Sequence, residues 1–413
     1  MMPDDVCRDI SIKRAAELKE SIADFLDYKK AFPTGYKEWE KIKSRQEHIK
    51  KVFGVSNKEW RDWKWQLRNR IQNVEQLEKF IQLSPEEKQE ISLTGSKFRW
   101  AMVPYYLSLV DPVNPVDPVR MQSVPSAKEY FDDCGVLDPM AEEYTSPAPA
   151  ITRRYPDRLI INVTNQCASY CRHCQRRRNI GEIDRHTPRK NLESAIKYIA
   201  ENEEIRDVLI TGGDALMLSE KTLDWILTEL DNIPHVEIKR LGSRVPVTLP
   251  YRITDELCGM LSKHLPLYIN TQFNHPMEVT PDAGEACFKL AKCGIALGNQ
   301  SVLLKGINND PFTMKILNQE LLKIMVKPYL LFHAKGVQGT RHFRTKVEDG
   351  IEIMEQLRGY TSGLAIPTYI INAPHGYGKT PMFPEYLISM GKNKLLIRTW
   401  EKRVLEYENT EET

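Results

Sequence analysis

From residue 158 onward the apolar positions fall into two alternating rhythms. Short stretches dense in Leu, Ile and Val, such as Leu159-Ile160-Ile161-Asn162-Val163, read as strands, and longer stretches with apolar residues three or four apart read as helices. The pattern predicts strands at 158–164, 206–211, 235–241, 266–272, 296–304 and 326–332, with helices at 191–203, 219–231, 253–263, 282–292 and 312–324. Strands joined this way imply a parallel sheet with right-handed crossovers, in a barrel-like or a doubly wound arrangement.

The first hundred residues show a different pattern, rich in Lys, Glu, Leu and aromatics with repeated helical spacing. Trp60, Trp63, Trp65 and Leu67 mark one helix with an aromatic side, expected to be core rather than a stacking platform. Ser84-Pro85-Glu86-Glu87 is a helix start with a cap, a first-turn proline and an acid three residues on. Between 104 and 125 five prolines exclude a continuous helix or central strand and predict an extended connector. The expected division is a helical region and connector at 1–150, an α/β core at 151–345 and a C-terminal segment at 346–413. That last segment holds a helix at 348–359, a strand-like 368–371, an apolar 395–397 and a polar end from Glu406 expected to fray.

Composition narrows the class. With 413 residues, 41% hydrophobic and 28% charged, the chain is an ordinary globular protein large enough for a sizeable core. No apolar run reaches the roughly 18 residues that a membrane helix needs, and a net charge of +2 makes no case for nucleic acid. The one basic cluster, Arg172 and Arg176 to Arg178, suits small anions. No signal peptide is evident and the cysteines are sparse, so a reducing, cytoplasmic setting is expected, with Cys7, Cys134, Cys258, Cys287 and Cys293 as incidental or buried thiols.

Cys167, Cys171 and Cys174 stand apart, at C-x3-C-x2-C spacing directly after the first predicted strand. Three thiolates in a short loop suit an iron-sulfur cluster or zinc. A zinc knuckle completed by His173 is the plainer alternative, but His173 is wedged between two of the cysteines and no second C-x2-C follows. Gly212-Gly213-Asp214 follows the second strand, where paired glycines admit a ligand close to the backbone and the acid can accept from an ammonium. Residues 372–381, NAPHGYGKTP, match a relaxed phosphate loop. Pro381 and Pro384 deny that loop its helix. Lys379 is then either a surface lysine in a turn or, with a depressed pKa, an amine able to form a Schiff base with pyridoxal phosphate.

The cysteine spacing resembles the signature of the radical SAM superfamily, with His173 where an aromatic ring usually stands. That resemblance implies an α/β fold, a partial (β/α)6 barrel with a helical N-terminal region and a C-terminal extension. WRDWKWQLRNRI, PYYLSLVDP, CRHCQRRR, TGGDAL, LGSRVPV, FNHP, HFRT, GIEIMEQLRGYTSG and APHGYGKTP, spread over residues 58–400, narrow the resemblance to the 2,3-aminomutases typified by lysine 2,3-aminomutase. It implies a [4Fe-4S] cluster on Cys167, Cys171 and Cys174, and S-adenosyl-L-methionine (SAM) near Gly212, Gly213, Asp214 and Gln300. Pyridoxal phosphate would be held by Lys379, Arg154 and Arg158, and the substrate α-carboxylate by Arg176.

Two departures bear on the substrate. Lysine-specific members place aspartates where this chain has Lys335 and Asn372. A cation and a neutral amide there would repel a distal ammonium and attract a carboxylate, which resembles the glutamate 2,3-aminomutase branch, with aspartate as a shorter competitor. The expected reaction is therefore isomerisation of L-glutamate to β-glutamate. A 2,3-aminomutase for lysine or another amino acid, or a non-catalytic iron-sulfur protein of the same fold, are the alternatives. No cysteine follows Cys293, so the interfacial zinc of lysine enzymes is not expected. Reduced flavodoxin or ferredoxin as electron donor and a homo-oligomer are expectations from the family.

Overall fold

A computed structural model describes residues 4–409. Nine strands form one sheet whose spatial order is the chain order: β1 Ile151–Arg153, β2 Arg158–Thr164, β3 Asp207–Gly212, β4 Ile238–Gly242, β5 Leu267–Thr271, β6 Ala296–Leu303, β7 Val326–His333, β8 Thr368–Asn372 and β9 Lys379–Pro381. Strands β2 to β8 are parallel, and β1 and β9 pair antiparallel at the edges. The two edges do not meet, so the barrel stays open.

All six expected strands are present, and β8 adds a seventh parallel strand. The stretch expected in the C-terminal segment therefore continues the core sheet past residue 345. Helices Arg189–Ala200, Glu220–Asp231, Asp255–Leu261, Pro281–Lys292, Pro311–Lys323 and Val347–Leu357 make the crossovers. Strand periodicity divides the residues between two faces. Ile161, Val163, Val208, Ile210, Leu241 and Ile269 belong to the main core, whereas Ile160, Thr211, Arg240, Asn270 and Gln300, at intervening positions, line the inner cavity.

The tryptophan helix is broken in two, Asn57–Trp60 and Trp63–Arg68, because Asp62 accepts the N–H of Lys64 and starts a new helix. Trp60 and Trp65 are buried as expected, and Trp60 Nε1 donates to Tyr251 Oη at 3.0 Å, tying this region to the core. The capping box at Ser84 is present: Glu87 N donates to Ser84 Oγ at 3.2 Å and Ser84 N to Glu87 Oε2 at 2.9 Å, at the head of helix Pro85–Lys97. The proline-rich connector is not extended. Pro104 and Pro118 open the short helices Pro104–Leu107 and Pro118–Ser123, where a missing N–H costs nothing. Tyr105 and Tyr106 carry this segment into the core, bonding Thr280 at 2.7 Å and Glu278 at 2.6 Å.

Strands β10 Leu387–Met390, β11 Lys394–Arg398 and β12 Val404–Glu408 form a separate antiparallel sheet. The polar end expected to fray is ordered up to Glu408, because Glu406 and Glu408 alternate with Leu405 and Tyr407 and so satisfy a strand; the rest of that expectation, 410–413, lies outside the described residues. Among the described residues no helix is long and apolar enough to cross a membrane.

Candidate active site

The inner face of the sheet, the β1–β2 turn and the loops beyond the C-terminal ends of its parallel strands enclose a cavity of about 280 Å³. The residues assigned to cofactors and substrate all line it: Cys167, Cys171, Cys174, Gly212, Gly213, Asp214, Gln300, Arg154, Arg158, Arg176, Lys335, Asn372 and Lys379. Of the basic cluster expected to face small anions only Arg176 does so; Arg172 and Arg177 pair with buried Glu129, and Arg178 with Asp138. Parallel strands deliver their loops to one end, which is why motifs more than two hundred residues apart converge.

The cysteine loop leaves β2 with all three thiols free. Their sulfurs do not gather within 4.8 Å of one another. Thiolates on one zinc, at about 2.3 Å from the metal, would lie about 4 Å apart, so the three sulfurs are not set for a single ion. Burial and neighbouring charges, Asp214 and the other thiolates, push the Cys167 thiol well above its ordinary value, and burial raises Cys174, so a cationic centre is what would make them ligands. His173 does not face a shared metal position. Its Nε2 accepts from Gln272 Nε2 at 3.0 Å and Asn274 Nδ2 at 3.3 Å, which leaves Nδ1 as the protonated nitrogen, buried and without a partner.

The glycine pair seats β3 against the cysteine loop. Gly212 has φ +133°, and a Cβ there would come within 2.4 Å of Thr164 O; one on Gly213 would meet Gln166 O at 2.4 Å. Asp214 N donates to Gln166 O at 2.8 Å, and the buried Asp214 carboxylate accepts from Leu216 N at 3.0 Å and Arg244 N at 2.7 Å. The close approach that needs glycine is thus first between two protein segments.

The charged lining of the cavity is mostly cationic. Arg154, Arg158, Arg176, Arg240, Lys335 and Lys379 line it, and Asp214 is the one acidic residue of the lining among the described residues. Arg176 is held by buried Glu142, which accepts at 3.0 Å from Nε and lies 2.9 Å from Nη2; Arg178 and Arg154 approach the same carboxylate at 3.5 and 3.9 Å. Burial opposes the Glu142 charge, but these arginines outweigh it and hold the carboxyl below its usual range. Arg154 Nη1 is buried with no partner, as is Asn372 Nδ2.

Lys379 opens β9 at the tip of the β8–β9 hairpin, where no helix follows, so the rejected phosphate-loop reading finds no support. Its backbone N–H donates to Tyr155 Oη at 2.9 Å, and Gly378, at φ +98°, fits against the Tyr155 ring. The side chain is open to cavity solvent yet walled by protein. Desolvation, then the charges of Arg240, Arg158 and Arg154, bring its amine down to about 8. The Nζ atoms of Lys379 and Lys335 approach the same ring, Phe332, at 5.3 and 5.6 Å from its centroid. Burial and the charges of Arg176 and Arg154 push the Lys335 amine well down. Cationic groups gathered in this way suit anionic ligands.

Sequence reasoning passed over Glu142, Arg240 and Arg244. Glu142 lies in no motif. Arg240 and Arg244 flank and occupy the LGSRVPV block, and what marks them is position: β4 points Arg240 inward, and the turn after it brings Arg244 Nη1 to 2.6 Å from Cys171 Sγ.

A three-cysteine loop beyond the first strand of an open parallel β/α barrel defines a radical SAM protein, and residues 161–312 match the Radical SAM superfamily. Superfamily membership implies a [4Fe-4S] cluster and SAM, and the three free cysteines of one loop fit such a group. Residues 354–413 match a second family, Lysine-2,3-aminomutase. The chain belongs to the 2,3-aminomutase family of radical SAM isomerases. It is 57% identical over 400 residues to the glutamate 2,3-aminomutase of Clostridioides difficile (strain 630), covering 97% of this chain and 95% of that one. It is 48% identical over 354 residues to the L-lysine 2,3-aminomutase of Clostridium subterminale, covering 86% and 85%.

Proposed function

We propose that this chain converts L-glutamate to β-glutamate, using pyridoxal phosphate bound through Lys379 alongside the cluster and SAM. The observation that carries the substrate is electrostatic. The distal pocket presents Lys335 and the unpartnered Asn372 amide, and Asp214, the only acid of the lining among the described residues, already accepts two backbone N–H groups. A distal ammonium would find no free carboxylate there, whereas a γ-carboxylate would find two donors. The name of the 57% identical relative points the same way.

When bound, the cluster and SAM supply a carbon-centred radical that takes the β-hydrogen, and pyridoxal phosphate supplies the carbonyl group that carries the migrating nitrogen. The protein's part is position and charge. Arg176, aligned by Glu142, takes the α-carboxylate in a bidentate fork, and Lys335 with Asn372 holds the γ-carboxylate, so the β-carbon is fixed between two clamped ends. Lys379 keeps a substantial fraction of neutral amine near pH 8, the form able to bond an aldehyde carbon. Arg154 and Arg158 offer their guanidinium groups to the cofactor phosphate. Gly212, Gly213 and Asp214 shape the turn that would hold SAM, and Gln300 lines the same cavity.

A reduced flavodoxin or ferredoxin supplies the electron in this reading, and the chain works as a homo-oligomer. For the latter, Leu387, Met390, Leu395, Ile397, Leu405 and Tyr407 share one face of the β10–β12 sheet; the members on its two outer strands, Leu387, Met390, Leu405 and Tyr407, are 48–70% exposed. The test is anaerobic incubation of the reconstituted protein with SAM, pyridoxal phosphate, dithionite and either L-glutamate or L-lysine, with products followed by NMR. β-Glutamate alone is expected; β-lysine alone would overturn the substrate.

A further inference from the structure

Arg244 is buried at the centre of a network that no step of the proposed function uses. Its Nε donates to Gln272 O at 3.1 Å and its Nη2 reaches Glu278 Oε1 at 2.6 Å, Gln122 Oε1 at 2.7 Å and Tyr106 Oη at 3.1 Å. Its Nη1 reaches Cys171 Sγ at 2.6 Å. Glu278 is itself fixed: fully buried, it accepts from Tyr106 Oη and from the backbone N–H groups of Asn274 and His275 at 2.6 to 2.9 Å. The guanidinium is therefore held from behind by a rigid carboxylate and aimed at one thiolate. Among the described residues it is the one charged side-chain donor on any of the three loop sulfurs.

We propose that Arg244 sets the reduction potential of the cluster through Cys171. The inference rests on the reading that Cys167, Cys171 and Cys174 hold that cluster. When a low-potential one-electron donor reduces it, one electron is added, no proton moves, and negative charge grows on the thiolate sulfurs. A cationic N–H donor on one of those sulfurs stabilises the reduced form more than the oxidised form, which makes the potential less negative. The arrangement explains why a buried Arg–Glu pair stands here at all. Glu278 balances the guanidinium charge only in part, because Nη1 is directed away from it, and the field left over falls on Cys171. Arg244 is thus a positioning residue for the electron rather than for the substrate.

The test is a dithionite titration, followed by EPR, of the anaerobically reconstituted full chain, the Arg244→Lys variant and the Arg244→Gln/Glu278→Gln double variant. The double variant removes both charges and so leaves no unpaired buried carboxylate; in both variants the backbone bond from residue 244 to Asp214 survives. At a poise where the wild-type cluster is half reduced, the reduced-to-oxidised ratio in the double variant should fall about tenfold, a midpoint lower by about 59 mV. Arg244→Lys should shift the same way by less, since a point-charge ammonium cannot span Glu278 and Cys171 together, and it carries the test if the double variant does not accumulate. An unchanged midpoint with full iron content overturns the proposal, as does a loss confined to SAM affinity. A wild-type chain with no four-iron signal overturns the cysteine reading and this inference with it, and iron analysis shows that before any potential is measured.

Discussion

Asn372 and Lys379 are directly opposite each other across the β8–β9 hairpin, and both line the cavity. Opposed residues of an antiparallel pair send their side chains to the same face, so the amide assigned to the substrate's far end and the amine assigned to the cofactor are coupled by one backbone register. A change at either is felt at the other.

The first consequence is a pH dependence. Covalent capture of pyridoxal phosphate needs the neutral Lys379 amine, and the protein lowers that amine from 10.5 to about 8. The capture rate should rise with pH around a midpoint of about 8, measured by borohydride trapping and mass spectrometry at successive pH values. In Asn372→Asp a carboxylate faces the amine, favours the ammonium and moves the midpoint up. A wild-type midpoint near 10.5 would count against the cationic surroundings being what tunes Lys379.

Substrate choice should follow the charge of the distal pair. Changing Lys335→Asp and Asn372→Asp together removes two donors for a γ-carboxylate and presents two acids. Losing one charge-assisted bond and gaining repulsion should cost about 3 kcal/mol, roughly a hundredfold in kcat/KM for L-glutamate, with L-lysine turnover appearing. Steady-state kinetics on both amino acids check it, and unchanged glutamate kinetics would place the γ-carboxylate elsewhere.

The site was legible in the sequence wherever a local rule carries the information. The strands β2 and β3 show as runs of branched apolar residues, and Lys379 shows because the prolines after it forbid the helix that a phosphate loop requires. Three-residue strands such as β1 and β9 are too short for a period of two to register. The tryptophan helix broke because Asp62 competes locally as a cap, and the connector prolines, correctly read as breaks, begin turns rather than extend the chain. Glu142 and Arg244 were silent for a deeper reason. Each acts through a partner distant in the chain, Arg176 and Cys171, and only the folded arrangement makes those neighbours.

The glycine at 212 offers a test of how the cluster loop is built. Its φ is +133°, and a methyl group added at its Cα would sit only 2.4 Å from Thr164 O, so Gly212→Ala must push β3 away from the start of the cysteine loop. Iron and sulfide content after reconstitution should fall severalfold while the circular dichroism of the core helices is retained. Full cluster occupancy would show that the Thr164 carbonyl can yield, and that glycine is present there for the ligand's sake.

Glu142 is the last residue whose role can be separated from its neighbours. It is the shared anion of Arg176, Arg154 and Arg178, and its depressed carboxyl pKa means that it contributes stability above the unfolded carboxylate range, lost as pH falls through its folded value. Glu142→Gln keeps the shape but removes the charge that aligns the arginine fork. The variant should raise KM for L-glutamate about tenfold with kcat less affected, because Arg176 would meet the α-carboxylate misaligned. It should also lose about 1–3 kcal/mol of stability at neutral pH in urea unfolding, with the difference from wild type shrinking in acid as Glu142 itself protonates. A KM unchanged beside a clear loss of stability would assign Glu142 to the fold alone, with Arg176 oriented by the substrate rather than before it arrives.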